Sequence, residues 1–181
     1  MTTWDGRETD RVTELREAFD RSFARAPSTE AAAVENLLAI RVGADPYVLR
    51  MTEVAGLFAD KKVTRLPSPV SELSGIAGFR GAVLPVYDLA MLLGYPRAVS
   101  PRWLVVIAVT PVALAFDSFD GYLNTREAAI VPEARPEEHE RHVREVVQTI
   151  DFVRPLISLV SVLEWIRRRA SRDGLARSDR R

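Results

Sequence analysis

Few side chains in this sequence could do covalent or acid–base chemistry. Its two histidines, His139 and His142, stand three apart in "EEHERH". On a helix that spacing puts both imidazoles on one face, near Glu138 and Glu145, as metal ligands could be. The metalloprotease pattern instead needs histidines four apart with a glutamate directly after the first. A charged surface segment is the simpler expectation. Asp117 and Asp120 in "FDSFDGYL" could pair as acid and base, but Asp120-Gly121 has the chemistry of a turn. There is no cysteine, which excludes thiolate chemistry and disulfides and fits a reducing compartment. No nucleophile elbow, P-loop or dinucleotide fingerprint occurs. The expectation is a protein with no catalytic residue, no metal, no cofactor and no small-molecule substrate.

One cation stands apart. In "GFRGAVLPVYDL", Arg80 lies between Phe79 and Gly81, just before the apolar run Ala82 to Val86. No nucleophile or base stands beside it, so recognition is the role expected of its guanidinium. Pro85 cannot donate a ladder hydrogen bond, so the strand carrying it should lie at a sheet edge or break at a bulge.

The elements that must position Arg80 are mostly short strands. "VENLLAIRVGADPYVLRMTEV" reads as two strands joined by a turn at Gly43 to Pro46. "GLFADKKVTRLPSPVSEL" reads as a long loop, and "GIAGFRGAVLPV" as two more strands. Asp88 is placed to cap a brief helix, "LAMLL", closed by Gly94. "WLVVIAV" and "VALAFDSF" are β-rich, with a turn expected at Asp120-Gly121. "VREVVQTIDFV" and "PLISL" read as closing strands before a helix from about Val160 to Arg169. Ahead of them all, Val12, Leu15, Phe19 and Phe23 fall on one stripe of an amphipathic helix, a cover for a barrel surface. Short strands with glycine and proline turns indicate a mainly β protein.

The expected organisation is a helical extension over residues 1–33, a core over 34–166 and an arginine-rich tail over 167–181. The core should break into two lobes near 95–102, and the tail should be disordered. A chain of 181 residues can bury roughly 70% of its unfolded surface without a staple. Its 25 basic and 25 acidic residues cancel, so no global field draws it to nucleic acid or an anionic membrane. The first ten residues are polar and acidic, unlike a secretory signal. The longest apolar run, Leu104 to Ala108, falls well short of the ~20 residues of a membrane span. A cytoplasmic location is expected.

From Leu37 to Ile166 the sequence resembles the chemotaxis coupling-protein (CheW-like domain) family, most strongly over "TRLPSPVSELSGIAGFRGAVLPVYDLAMLLG". Pro67, Gly75, Arg80, Gly81, Pro85, Asp88, Leu89 and Gly94 fall on the family pattern without a gap. Upstream, "VLRMTEV" matches through Glu53 and Val54. Downstream, "LAFDSF" matches through Asp117, and "LISLVSVLEWI" resembles the final strand and helix.

The resemblance implies two intertwined five-stranded, SH3-like β-barrels and a non-catalytic adapter. Such an adapter links the cytoplasmic tips of methyl-accepting chemoreceptors to the regulatory domain of a histidine kinase, within receptor arrays. It further implies a receptor-facing groove between the barrels, using Arg80, Glu53, Met51 and Gly75. Gly78 and Phe79 replace the family's asparagine and leucine before the arginine, Ala90 an arginine, and Ser118 a glycine. These departures bear on partner choice. Two alternatives stay open: a divergent coupler that binds receptors without recruiting kinase, and a nucleic-acid-binding barrel protein using the arginine tail.

Overall fold

The computed structural model describes residues 35–97, 101–124, 129–132 and 142–178, all within the unit Glu35–Arg181. The amphipathic stripe Val12, Leu15, Phe19 and Phe23 lies outside them, as does His139. The protein is mainly β. Its elements are β1 (Asn36–Val42), β2 (Asp45–Arg50), a 3-10 turn (Met51–Glu53), β3 (Val54–Ala59), β4 (Leu73–Phe79), β5 (Ala82–Asp88), the helix α1 (Leu89–Leu93), β6 (Trp103–Ile107), β7 (Ala113–Phe116), β8 (Ser118–Asn124), β9 (Ala129–Pro132), β10 (Val143–Gln148), β11 (Val153–Ile157) and the helix α2 (Leu159–Ser178). No described helix is long and apolar enough to cross a membrane.

The strands form two sheets, a six-stranded one ordered β8-β1-β2-β11-β10-β9 and a five-stranded one ordered β3-β6-β7-β5-β4. The first joins the opening hairpin to the closing strands, so the chain enters it twice and builds the second sheet in between. The lobes are therefore intertwined. The connection at 95–102 falls within the run that builds the five-stranded sheet, rather than at the break between lobes expected there. The six-stranded sheet has one strand more than expected: β8 alternates only weakly, and β9, though apolar, is four residues long.

Alternation buries both faces of the inner strands. In β1, Leu38, Ile40 and Val42 join a central core that also holds Leu92 and Leu93 of α1 and Leu159, Val162, Leu163 and Ile166 of α2. Leu37 and Ala39 join a smaller cluster inside the six-stranded sheet, with Val48, Val147 and Leu156. The five-stranded sheet encloses its own cluster, built on Ala77, Phe79, Leu84, Val86, Leu104, Ala113 and Ala115. Its two edge strands meet where Phe58 of β3 packs edge-on against Phe79 of β4, ring centroids 5.0 Å apart. The sheet thus curls until side chains of its two edge strands touch, although no backbone hydrogen bonds pair them.

Local chemistry explains several elements. Asp88 caps α1 by accepting from the Met91 N–H at 3.3 Å, and Gly94 ends it at φ 93°, a conformation glycine adopts without steric cost. The β1–β2 connection is a tight hairpin in which Val42 pairs Asp45 and Gly43 takes φ 62°.

Other expectations are corrected. Residues 56–59, read as the start of a loop, are the last four residues of β3, paired with β6. Asp120-Gly121 makes no turn: β8 runs through it, and the pairing shifts from Ala39–Gly121 to Ile40–Phe119, leaving Asp120 as a bulge. The strand β5 is not at an edge. Its pairing with β7 begins only at Val86, opposite Ala113, one residue past Pro85, so the missing N–H interrupts no ladder on that side. The arginine-rich segment continues α2 to Ser178, supported by an Arg168–Glu164 ion pair one turn apart and by Arg169 over the Trp165 ring at 5.7 Å.

Candidate functional site

Arg80 and Gly81 are the two residues of the β4–β5 hairpin turn, since Phe79 pairs with Ala82. Their φ angles are 45° and 86°, the doubly left-handed geometry that matches the twist of flanking strands. Glycine at the second position is free to adopt it. A side-chain-bearing residue at the first position pays about 1 kcal/mol, and asparagine is the residue that suits it best. Arginine stands there instead. Its guanidinium is exposed and makes no hydrogen bond or ion pair with any described residue.

The turn forms one rim of a cavity of about 340 Å³ at the open end of the curled sheet. Its floor is apolar, with Phe58, Phe79, Leu84 and Val106, and its far rim is the β6–β7 turn, Ala108 to Pro111. Val109 on that rim is 72% exposed. No acidic residue lines the cavity. Cations flank it: the Lys61 ammonium lies 5.5 Å from the Phe58 ring and 5.9 Å from that of Phe79. Arg167 of α2 donates to the Thr110 hydroxyl at 3.0 Å. The arrangement suits an apolar ridge whose edges carry acceptors or carboxylates.

The other residues predicted to meet the receptor do not line this cavity, and the cavity belongs to the five-stranded sheet rather than lying between the two sheets. Glu53 turns away from it: its carboxylate accepts from the Leu159 N–H at 3.2 Å, at the start of α2. Its backbone carbonyl accepts from the Ala108 N–H at 2.9 Å, so Glu53 touches the far rim through the main chain alone. Met51 is 37% exposed on the crossover between the sheets. Gly75 is five residues from Arg80 along β4, a separation of roughly 16 Å. It has φ 146°, and a Cβ there would lie 2.1 Å from the Thr64 carbonyl oxygen. Glycine at 75 lets the preceding loop bond to β4, where Thr64 and Ile76 exchange both backbone hydrogen bonds.

The remaining motif residues hold the frame. Asp117 accepts from the Gly43 N–H at 2.6 Å, closing the first hairpin. Asp120 bridges Arg41 at 3.1 Å and Arg154 at 3.2 Å. Pro67 lies in the loop before β4, on the wall of a second cavity. His142 is buried beneath α2, with Nδ1 3.1 Å from the Ser161 hydroxyl, rather than on a charged surface. Among the described residues no three metal-ligating side chains cluster.

Phe58, Lys61, Val109 and Thr110 were not foreseen as site residues. Phe58 and Lys61 sat in the segment read as loop, where the apolar run Leu57 to Ala59 was too short to register as a strand. Val109 and Thr110 come together with Arg80 only through the pairing of β6 with β7 and of β7 with β5.

Two interleaved β-sheets with a cation on an apolar rim define a binding module. Residues 36–168 match the CheW-like domain family, and the protein belongs to that family. A probable chemotaxis protein CheW from Rhizobium etli is 28% identical over 100 residues, 53% of this chain. The match spans 64% of that relative's length. The fold is also that of the scaffolding protein TtCheW from Thermoanaerobacter tengcongensis, with a TM-score of 0.60 at 17% identity, covering 68% of this chain and 88% of that one.

Proposed function

We propose that this protein is a non-catalytic adapter that couples methyl-accepting chemoreceptors to a histidine kinase in a cytoplasmic chemosensory array. The observation that carries this reading is Arg80. A guanidinium with no partner among the described residues is held in a left-handed turn, at local cost, beside an apolar cavity with a cationic rim. Backbone strain of this kind persists where it serves a function. An arginine fork at that rim takes a carboxylate or a pair of carbonyls from a receptor helix tip, while Phe58, Phe79 and Leu84 receive its apolar ridge.

In this reading Arg80 makes the direct contact and Met51 offers an exposed thioether on the crossover. Glu53 and Gly75 act through position, by holding α2 and the loop before β4. Calorimetric titration of the full chain with a receptor cytoplasmic fragment, and separately with the kinase regulatory domain, tests the function. Binding to both supports a coupler. Binding to the receptor alone makes it an adapter that recruits no kinase. Binding to neither overturns the reading.

A further inference from the structure

A second cavity, of about 330 Å³, lies between the loop before β4 and the segment after α1. Two arginines line it, Arg65 and Arg97, together with Ser68, Ser71 and Ser74. No acidic side chain is among its lining residues. We propose that this cavity binds a tetrahedral oxyanion, a phosphate or a phosphoryl group, with Arg65 and Arg97 as its principal ligands.

The walls are fixed by the backbone. Thr64, next to Arg65, is held to Ile76 by two hydrogen bonds of 2.8 and 2.9 Å. The Ser68 hydroxyl accepts from the Val70 N–H at 3.0 Å, and the Leu73 N–H reaches the Val70 carbonyl at 3.2 Å. Arg97 is anchored by Nη1 on the Ser74 hydroxyl at 3.4 Å and by Nη2 on the Ser71 carbonyl. A guanidinium has five donors, so three on Arg97 are left for a ligand. Arg65 makes no hydrogen bond or ion pair with any described residue.

Two arginines on one cavity repel unless an anion lies between them. A carboxylate offers two oxygens, fewer than two guanidinium forks and three hydroxyls can engage. A phosphate offers more acceptors and up to two charges, which fits this donor set better. The site is separate from the Arg80 cavity and does not rest on the adapter reading.

The test is a titration of the full chain with inorganic phosphate at constant ionic strength, read by thermal unfolding and by calorimetry. A phosphoserine peptide and its unphosphorylated counterpart form a second arm. Phosphate should raise the melting temperature beyond matched chloride, and Arg97→Gln and Arg65→Gln should each weaken binding about tenfold. Arg80→Ala should leave it unchanged. Because Arg65 has no partner among the described residues, Arg65→Gln keeps the test valid even if Arg97→Gln disturbs the loop. Tighter binding of the phosphopeptide than of free phosphate assigns the source to a modified partner, and the reverse assigns it to the free ion. No stabilisation beyond chloride in either arm, or binding retained in the double variant, overturns the proposal.

Discussion

The Glu53 carboxylate accepts a hydrogen bond from the Leu159 N–H at 3.2 Å, across 106 residues of sequence. The crossover between the two sheets thereby holds the start of the C-terminal helix. The negative charge meets the positive end of the helix dipole there. Because the Glu53 carbonyl also takes the Ala108 N–H, one residue ties α2 to the far rim of the Arg80 cavity.

Glu53→Ala should therefore cost about 1 kcal/mol of unfolding free energy, the usual loss for a helix N-terminal cap. Glu53→Gln keeps an oxygen acceptor and loses only the charge, so it should cost about half as much or less. Urea unfolding of the two variants measures this. Equal stability in wild type and Glu53→Ala would mean the carboxylate caps nothing.

Gly75→Ala tests the junction between β4 and the loop before it. Its Cβ would sit 2.1 Å from the Thr64 carbonyl oxygen, at a φ of 146°. Backbone atoms on both sides must then move, so the loss should be about 3 kcal/mol or more. Gly78→Ala on the same strand meets nothing within 4 Å, and it should cost under about 1 kcal/mol by the same urea measurement.

Tyr95 joins the end of α1 to β2. Its hydroxyl donates to Asp45 at 2.6 Å and lies 2.7 Å from that of Tyr47. Burial and then these two partners raise its pKa above its ordinary value of 10.0. A tyrosine harder to ionise when folded contributes stability that is fully present below the unfolded pKa. That contribution falls away as pH rises above about 10, because the unfolded chain releases the proton first. Unfolding free energy measured from pH 8 to 11 should fall above pH 10, and less steeply in Tyr95→Phe. A slope identical in both proteins would remove Tyr95 from the account.

The sequence is informative where one short segment determines its own geometry. The Gly43 hairpin, the Asp88 and Gly94 caps and the Arg80-Gly81 turn each follow from a few adjacent residues. What stayed hidden depends on partners far along the chain. Asp120-Gly121 has every mark of a turn, but pairing with β1 draws it into a strand as a bulge. Glu53 matched a family position as a site residue, yet its side chain belongs to α2, and nothing local signals an acceptor for Leu159. The extent of α2 was also missed, because its arginines look like a solvated tail until Trp165, Glu164 and Thr110 supply their partners. Arg80 stood out in the sequence as an isolated cation before an apolar strand, whereas the cavity beside it needed three-dimensional pairing to assemble.

In the proposed function Arg80 occupies its turn for recognition rather than for folding, and Arg80→Asn tests this most directly. Asparagine before Gly81 suits a turn with φ of 45° and 86° better than arginine does, so the variant should be as stable as wild type or up to about 1 kcal/mol more so. Calorimetric titration with the receptor fragment, alongside urea unfolding, should show affinity reduced at least about tenfold, the loss of roughly one charge-assisted contact. A variant that keeps wild-type stability and binds the fragment within about twofold of wild type would contradict the account.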